Sequence, residues 1–346
     1  MSAHALVIFN PEARSPIPIE QWIGQIKEKL DKHDQYFVDF YPTTAETKPE
    51  DLVPLIHPPL NLIIAAGGDG TVRIALAALA LAQSDIPAAI FPLGTANVLA
   101  RNLGIVQEKL FADPLEHAFD FILRGRPMPM DMATMNKEYF AGMAGVGPIA
   151  DALRKPDRAE KSSFKVLAYT KALLATIAMR PQIFKITTGG RSFKVQASAV
   201  FISNVEGLGV GKPVDFNALI SGSLDLHIVN PKGFRDYVDL GFQFTGGNCP
   251  DCDSDYTLKV KEAVVEVEPR RGVRSAFQTA ILTLSAFLTG KRPPQSPGGE
   301  LPCMIDGEKC GVTPMRVIVV PQAVNVLIPP SEHKEISPPL QLDIAS

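Results

Sequence analysis

The sequence is poor in cysteine, has no excess of basic charge and lacks any apolar run long enough to span a bilayer. Its four cysteines, Cys249, Cys252, Cys303 and Cys310, are too few in 346 residues for a disulfide-built scaffold, and the simpler reading is free thiols in a reducing cytoplasm. Lys and Arg number 34 against 37 Asp and Glu, a net charge of −3 and a pI near 6.1, which excludes the basic footprint of a bulk nucleic-acid binder. The longest clean apolar stretch, Ile74 to Ala82, is half of the roughly 20 residues a membrane helix needs. The first ten residues carry no Lys or Arg, so no secretory signal is expected. A soluble cytoplasmic protein without a transmembrane segment is the expectation.

What the chain does have is the composition of a folded protein. Hydrophobic residues make up 46% and charged residues 21%, which argues against disorder, collagen-like repeats and coiled coil over most of the length. The length allows two or three domains at the usual roughly 100–200 residues each. Gly and Pro together supply 56 of the 346 residues, above the roughly 12% of average usage, so either long irregular stretches or glycine-built functional loops are present.

The first third alternates strand and helix. Ala5 to Asn10 is a β-rich apolar run ending in Asn-Pro. Ile19 to Leu30 spaces Trp22, Ile23, Ile26 and Leu30 along one helix face, and Tyr36 to Tyr41 reads as strand. A helix from Pro49 to Ile56, a doubly buried strand from Asn61 to Ala66, an Ala/Leu-rich helix from Val72 to Ala82 and a strand from Ala88 to Phe91 follow. This is the pattern of an α/β domain with a parallel sheet. After Arg101 a helix-like stretch ends near Gly125, and residues 124–129 read as a linker.

Beyond it the segments at Tyr139, Ile183–Thr188, Phe193–Ile202, Leu224–Val229 and Ala263–Glu268 are short alternating strands separated by Gly, Asn and Pro turns. They predict an antiparallel, β-dominated second domain, interrupted by a core-facing helix over Phe164–Arg180. Residues 277–288 are apolar and flanked by Arg270, Arg271, Arg274, Lys291 and Arg292. They read either as a buried element, the preferred reading, or as a segment resting on an anionic membrane surface. Cys249-Pro-Asp-Cys252 reads as a turn in preference to half a zinc site or a redox pair, because Cys303 and Cys310 are not spaced as a second knuckle.

The chemistry is expected at the strand ends. Gly67-Gly-Asp-Gly-Thr71 follows a buried strand and precedes a helix, where glycines let backbone N–H groups face a phosphate. It lacks the Gly-Lys-Ser/Thr of a Walker A loop and the third glycine of a dinucleotide loop. An Asp inside such a loop suits a Mg²⁺ ion or an attacking hydroxyl, both required in phosphoryl transfer; the alternative is a tight turn with a capping Asp. Gly94-Thr-Ala-Asn97 repeats the arrangement after the next strand, which is where an open α/β sheet binds its ligand. Asp306-Gly-Glu308 by itself reads as an ordinary β-turn.

Together, Gly67 to Thr71, Gly94 to Gly104 and Ile305-Asp-Gly-Glu308, in that order and spacing, resemble the diacylglycerol kinase catalytic-domain family, in particular the soluble bacterial lipid kinases related to sphingosine kinase. Asn10-Pro11, Tyr41-Pro-Thr-Thr44, Phe140 to Gly147 and Gly222-Ser-Leu-Asp225 are also similar to that family. The resemblance implies an N-terminal nucleotide-binding α/β domain (1–126), a C-terminal β-sandwich-like lipid-substrate domain (127–322) and a site in the cleft between them. It further implies a segment 323–346 that partly returns to the first domain or frays.

The same resemblance implies ATP, with Mg²⁺, as phosphate donor and a lipid hydroxyl as acceptor: diacylglycerol, a sphingoid base or another long-chain alcohol. It assigns nucleotide contacts to Asn10, Thr43, Gly67, Gly68, Asp69, Gly70, Thr71, Gly94, Thr95 and Asn97, with Asp69 near Mg²⁺. Asp69, Asp306 and Glu308 are the catalytic candidates, with Asp306 or Glu308 as general base at the lipid hydroxyl. The protein would work from the cytoplasm, peripherally on the inner face of a membrane, with a homodimer as the oligomer considered.

Three positions depart from the family. Asn10-Pro-Glu-Ala-Arg14 lacks the usual Ser-Gly, Val98 replaces an Asp, and Ile220-Ser221-Gly222 replaces paired aspartates. A structural metal site is therefore expected to be lost or altered, with Asp215 and Asp225 the nearby carboxylates. Residues 270–299 are a candidate insertion. An NAD- or sugar-kinase-type phosphotransferase shares the first loop but is disfavoured by Gly94 to Asn97. A non-catalytic nucleotide- or lipid-binding regulator is disfavoured by the presence of all three carboxylates.

Overall fold

In the computed structural model the structure describes residues 3–12, 18–31, 36–94, 97–106, 118–119, 122–153, 181–205, 216–231, 236, 255–268 and 300–328. Arg14, Thr95, Asp215, Cys249, Cys252, the helix expected over 164–180 and the segment 270–299 lie outside the described residues. The chain divides into two compact units, one formed by residues 1–131, 213–221 and 321–346, the other by 132–212 and 222–320.

In the first unit, strands β1 (Ala3–Phe9), β2 (Tyr36–Pro42), β3 (Leu60–Gly67) and β4 (Pro87–Pro92) alternate with helices α1 (Ile19–Asp31), α2 (Pro49–Leu52, continued by a 3-10 turn at Val53–Leu55) and α3 (Asp69–Leu81). A short α4 (Val98–Asn102) follows. The strands are parallel in the order β2-β1-β3-β4, and Phe9 is aligned with both Pro42 and Ala66. The sequence dictates this layering. β3 buries every residue from Leu62 to Gly67, as a strand covered on both faces must. α1 buries Trp22, Ile26 and Leu30, one residue per turn, and Trp22 meets Phe9 edge-on with ring centroids 5.6 Å apart. α3 buries Ala75 to Leu79 without interruption, so its small side chains seat it closely on the sheet.

α3 begins at Asp69, three residues before the start expected from its apolar pattern. The reason is Gly68: in extended conformation (φ −90°, ψ −174°) it is the N-cap, and its carbonyl accepts the N–H of Val72 at 3.1 Å. The expected linker is likewise partly strand, because β5 (Arg126–Met135) starts inside it. Met128, Met130 and Met132 form a period-2 apolar pattern, and all three are buried.

The second unit is built of antiparallel ladders. One sheet runs in the order β12 (Asp255–Val260), β11 (Leu224–Val229), β10 (Ala199–Ser203), β7 (Met143–Val146), β14 (Pro302–Ile305) and β15 (Glu308–Val312). The other ladder pairs β13 (Glu262–Val267) with β8 (Gln182–Thr188) and β8 with β9 (Arg191–Ala197). A short β6 (Glu138–Phe140) pairs with β5, and α5 (Pro148–Leu153) follows β7. The last strand, β16 (Met315–Ile328), pairs antiparallel with β13 in its first half and parallel with β4 at Asn325 and Val326, so its sheet is mixed.

Phe193–Ile202, expected as one strand, is two. β9 pairs with β8 and β10 with β7 and β11, and Ser198 between them donates its N–H to Val229 O at 2.8 Å. Val200 and Ile202 join an apolar cluster with Phe184, Ile186, Val265 and Val317, whereas Ala199 and Phe201 join Ile149 and Ala150 of α5. Burial on both faces explains the unbroken apolar reading of β10.

His227 on β11 is buried, its Nδ1 3.1 Å from Thr257 Oγ1 and its Nε2 3.4 Å from Ser203 Oγ. Burial pushes this imidazole from 6.5 down to about 4; Asp225 opposes the shift and Lys259 adds to it. The folded state therefore prefers neutral His227, and its stability is complete above pH 6.5 and lost as pH falls towards 4. Urea unfolding at pH 7 and pH 4 should show the wild type losing about 2–3 kcal/mol more than a His227→Asn variant.

Candidate functional site

Parallel strands place their carboxyl ends on one edge of the sheet, and most of the residues expected to meet a nucleotide lie there. Asn10 follows β1, and its Oδ1 accepts the N–H of Glu12 at 2.9 Å. Thr43 follows β2 and is buried; its N–H (2.7 Å) and Oγ1 (3.1 Å) both donate to Phe9 O. Thr43 thus clips the ends of β1 and β2 together, and its hydroxyl already has a partner.

Gly67 ends β3 and Gly94 follows β4. The carbonyl of Gly67 accepts the N–H groups of Leu93 at 3.0 Å and Gly94 at 3.2 Å, binding the two strand ends. The loops then touch backbone to backbone: a Cβ on Gly94 would collide with the Cα of Gly68 and lie 2.7 Å from Asn97 Oδ1. Only glycine permits this approach. Asp69, Gly70 and Thr71 form the first turn of α3, where backbone N–H groups lack intrahelical acceptors and the dipole favours an anion.

Asp69 reaches across to the second loop. Its Oδ1 accepts the N–H of Val98, the first residue of α4, at 2.6 Å. Asn97 precedes Val98 in the left-handed region (φ 48°, ψ 48°), its Nδ2 donating to Gly94 O at 2.9 Å. Asn97 Oδ1 is buried with no hydrogen-bond partner among the described residues. The structure therefore brings Gly67, Gly68, Asp69, Gly70, Thr71, Gly94 and Asn97 into one cradle. Val98 enters through its backbone, a role no side-chain pattern reports.

In the second unit, Asp306 and Gly307 are the two residues joining β14 to β15. Both have positive φ (46° and 82°), as a type I′ hairpin turn requires. Asp306 Oδ1 accepts the N–H groups of Gly142 and Met143, each at 2.9 Å, and Oδ2 accepts that of Ala141 at 3.1 Å. Asn204, not anticipated from the sequence, donates its N–H to Gly142 O (2.8 Å) and Nδ2 to Ala141 O (3.2 Å). Its signal was a polar side chain ending the buried Ala199–Ser203 run. Glu308 is half-exposed and pairs with Ile305.

Asp225 is buried and held by Lys259 Nζ at 2.8 Å, which makes it an ion-pair partner on adjacent strands. No cluster of three or more His, Cys, Asp or Glu suited to a metal occurs among the described residues. Neither Cys303 nor Cys310 is in a disulfide among the described residues; burial, with Cys310 nearby, pushes the Cys303 thiol up to about 12.

The first unit thus combines a parallel sheet with a Gly-Asp-Gly start to α3 at its strand ends. Residues 4–135 match the family model of the diacylglycerol kinase catalytic domain. The chain is 26% identical over 237 residues, 68% of its length, to the diacylglycerol kinase of Bacillus subtilis, covering 76% of that protein. It is 30% identical over 169 residues to a "Probable lipid kinase YegS-like" of Yersinia enterocolitica, covering 48% of this chain and 55% of that one. A solved structure of a diacylglycerol kinase from Bacillus anthracis shares the fold with a TM-score of 0.64 over 95% of this chain and 97% of the other, at 20% identity.

The Gly68–Gly94 approach gives a direct test of the cradle. Gly94→Ala should cost about 1–3 kcal/mol by overpacking, read as a lowered midpoint in urea unfolding. Gly104→Ala, where a Cβ meets open space but φ is +70°, serves as the strain-only comparison.

Proposed function

We propose that the protein is an ATP- and Mg²⁺-dependent lipid kinase that transfers the γ-phosphate to a lipid hydroxyl. The observation that carries this reading is Asp69: a carboxylate in the first turn of α3, in a two-glycine cradle, with one oxygen tied to Val98 N–H. The kinase names of the relatives support the reaction class.

The backbone N–H groups of the first turn of α3 bind and orient the phosphates, and the close glycine pair leaves room for them. The donors present fit the metal. Asp69 Oδ2 is not the oxygen bound to Val98, Asn97 Oδ1 is a buried oxygen without a partner among the described residues, and hard oxygen donors suit Mg²⁺, which typically takes one or two carboxylates plus substrate phosphates. Bound there with ATP, the ion would supply charge neutralisation on the phosphates. Asn10, Thr43 and Thr95 complete the nucleotide contacts in this reading. Asp306 and Glu308 serve the acceptor hydroxyl, one of them taking its proton. No helix among the described residues is long and apolar enough to cross a membrane, which suits an enzyme that meets its lipid from the inner membrane face.

The test is incubation with γ-labelled ATP, Mg²⁺ and a total lipid extract, with the product identified by mass spectrometry. A labelled lipid is expected, and Asp69→Asn should reduce its formation at least a hundredfold with the unfolding midpoint kept within a few degrees. ATP binding without any labelled lipid would reject the kinase in favour of a nucleotide-binding regulator. Full activity of Asp69→Asn would remove Asp69 from the mechanism.

A further inference from the structure

We infer that Cys303 and Cys310, facing each other across the β14–β15 hairpin, form a reversible disulfide under peroxide, and that closing it slows lipid transfer. The effect on transfer rests on the kinase reading above; the disulfide does not.

β14 and β15 run in step at Ile305 with Glu308 and at Met304 with Lys309, and the next step sets Cys303 against Cys310. Alternation along the strands decides the faces. Cys303 and Ile305 belong to one apolar cluster and Cys310 packs on that same cluster, whereas Met304 between them turns to the other cluster, with Ile149 and Phe201. The two thiols therefore share a face. Residues opposite each other in an antiparallel pair have Cα atoms about 4.5–5.5 Å apart, inside the about 4.4–6.8 Å that a disulfide bridges. Past the cysteines the ladder slips by one residue, Pro302 facing Val312, and Gly311 there is at φ 63°. The strand beside Cys310 is thus already released from the regular ladder.

Their surroundings give the two thiols different parts. Cys303 is buried, its Sγ donates to Leu301 O at 3.8 Å, and burial, with Cys310 nearby, holds its thiol near 12, so it does not start the reaction. Cys310 is half-buried on an edge strand and meets the oxidant first. Its sulfur takes one oxygen from hydrogen peroxide, giving a sulfenic acid and one water. Cys303 Sγ then attacks that sulfur; the S–O bond breaks, and the hydroxyl leaves with the Cys303 proton as a second water. Two thiols lose two electrons and one peroxide gains them.

Closure brings the Cβ atoms from the about 4.5–5.5 Å of an opposite pair to the about 3.5–4.5 Å of a disulfide. β14 resists the shift, because it is paired with β7 and Asp306 at its end accepts three backbone N–H groups. β15 is the edge strand, so it moves and carries Glu308, two residues from Cys310, with it.

The test treats full-length wild type and Cys310→Ser with hydrogen peroxide, then alkylates and digests with trypsin without reduction. Cleavage after Lys309 separates the two cysteines, so a disulfide leaves their peptides joined. Joined peptides are expected in wild type at least tenfold above the untreated protein, with labelled-lipid transfer reduced at least fivefold and restored by dithiothreitol. Cys310→Ser should transfer lipid normally and resist peroxide. Peptides that stay separate in wild type, or are joined instead to Cys249 or Cys252, overturn the pairing. Joined peptides with unchanged transfer, or equal loss of transfer in Cys310→Ser, overturn the switch. Absence of lipid transfer by untreated, folded wild type rejects the kinase reading, whereas the peptide map still decides the disulfide.

Discussion

The hydrogen bond from Val98 N–H to Asp69 Oδ1, 2.6 Å long between residues 29 apart in sequence, is the constraint on which the two-loop cradle depends. It joins the first turn of α3 to the first turn of α4. Each helix alone would present a separate set of N–H groups; tied through Asp69 they become one surface. The bond also sets the rotamer of the carboxylate. One oxygen is spent on the protein and the other keeps its direction, a preorganisation that would serve the proposed phosphoryl transfer because nothing has to be reordered when charge develops. The contact of Gly68 with Gly94 and the double acceptance at Gly67 O bring the two loops close enough for that bond to form.

Much of the first unit was legible because a doubly wound parallel sheet writes its pattern locally. A strand buried on both faces must be continuously apolar, as Leu62 to Ala66 are, and a helix covering it must repeat at three to four residues, as Trp22, Ile26 and Leu30 do. The start of α3 was not legible, since Asp69, Gly70 and Thr71 carry no apolar period and the capping rests on the φ and ψ of Gly68. The break at Ser198 was hidden for a different reason. β9 and β10 follow each other without a Gly or Pro, and the division appears only in which strands each one pairs with.

The carboxylates of the second unit show the same limit. Asp306-Gly307 reads locally as a hairpin turn, and it is one. What the side chain of Asp306 does depends on donors more than 160 residues earlier, at Ala141 to Met143. The recurrence of small residues from Ala141 to Gly147 is the only trace of that partnership in the sequence. Asn204 shares the turn, and its one local signal is that it ends the buried Ala199–Ser203 run. Such roles are made by non-local pairing and are absent from any window of neighbouring residues.

The replacement of an expected Asp by Val98 now has a physical meaning. The contribution of this position to Asp69 is its backbone N–H, which any residue except proline supplies, so the cradle keeps its tie. Amide hydrogen exchange at Val98, followed by NMR in wild type and in Asp69→Ala, tests this most directly. A Val98 amide protected in wild type and at least tenfold less protected in the variant, with the amides of β3 and β4 unchanged, is the expected result. Equal protection in both proteins would contradict it.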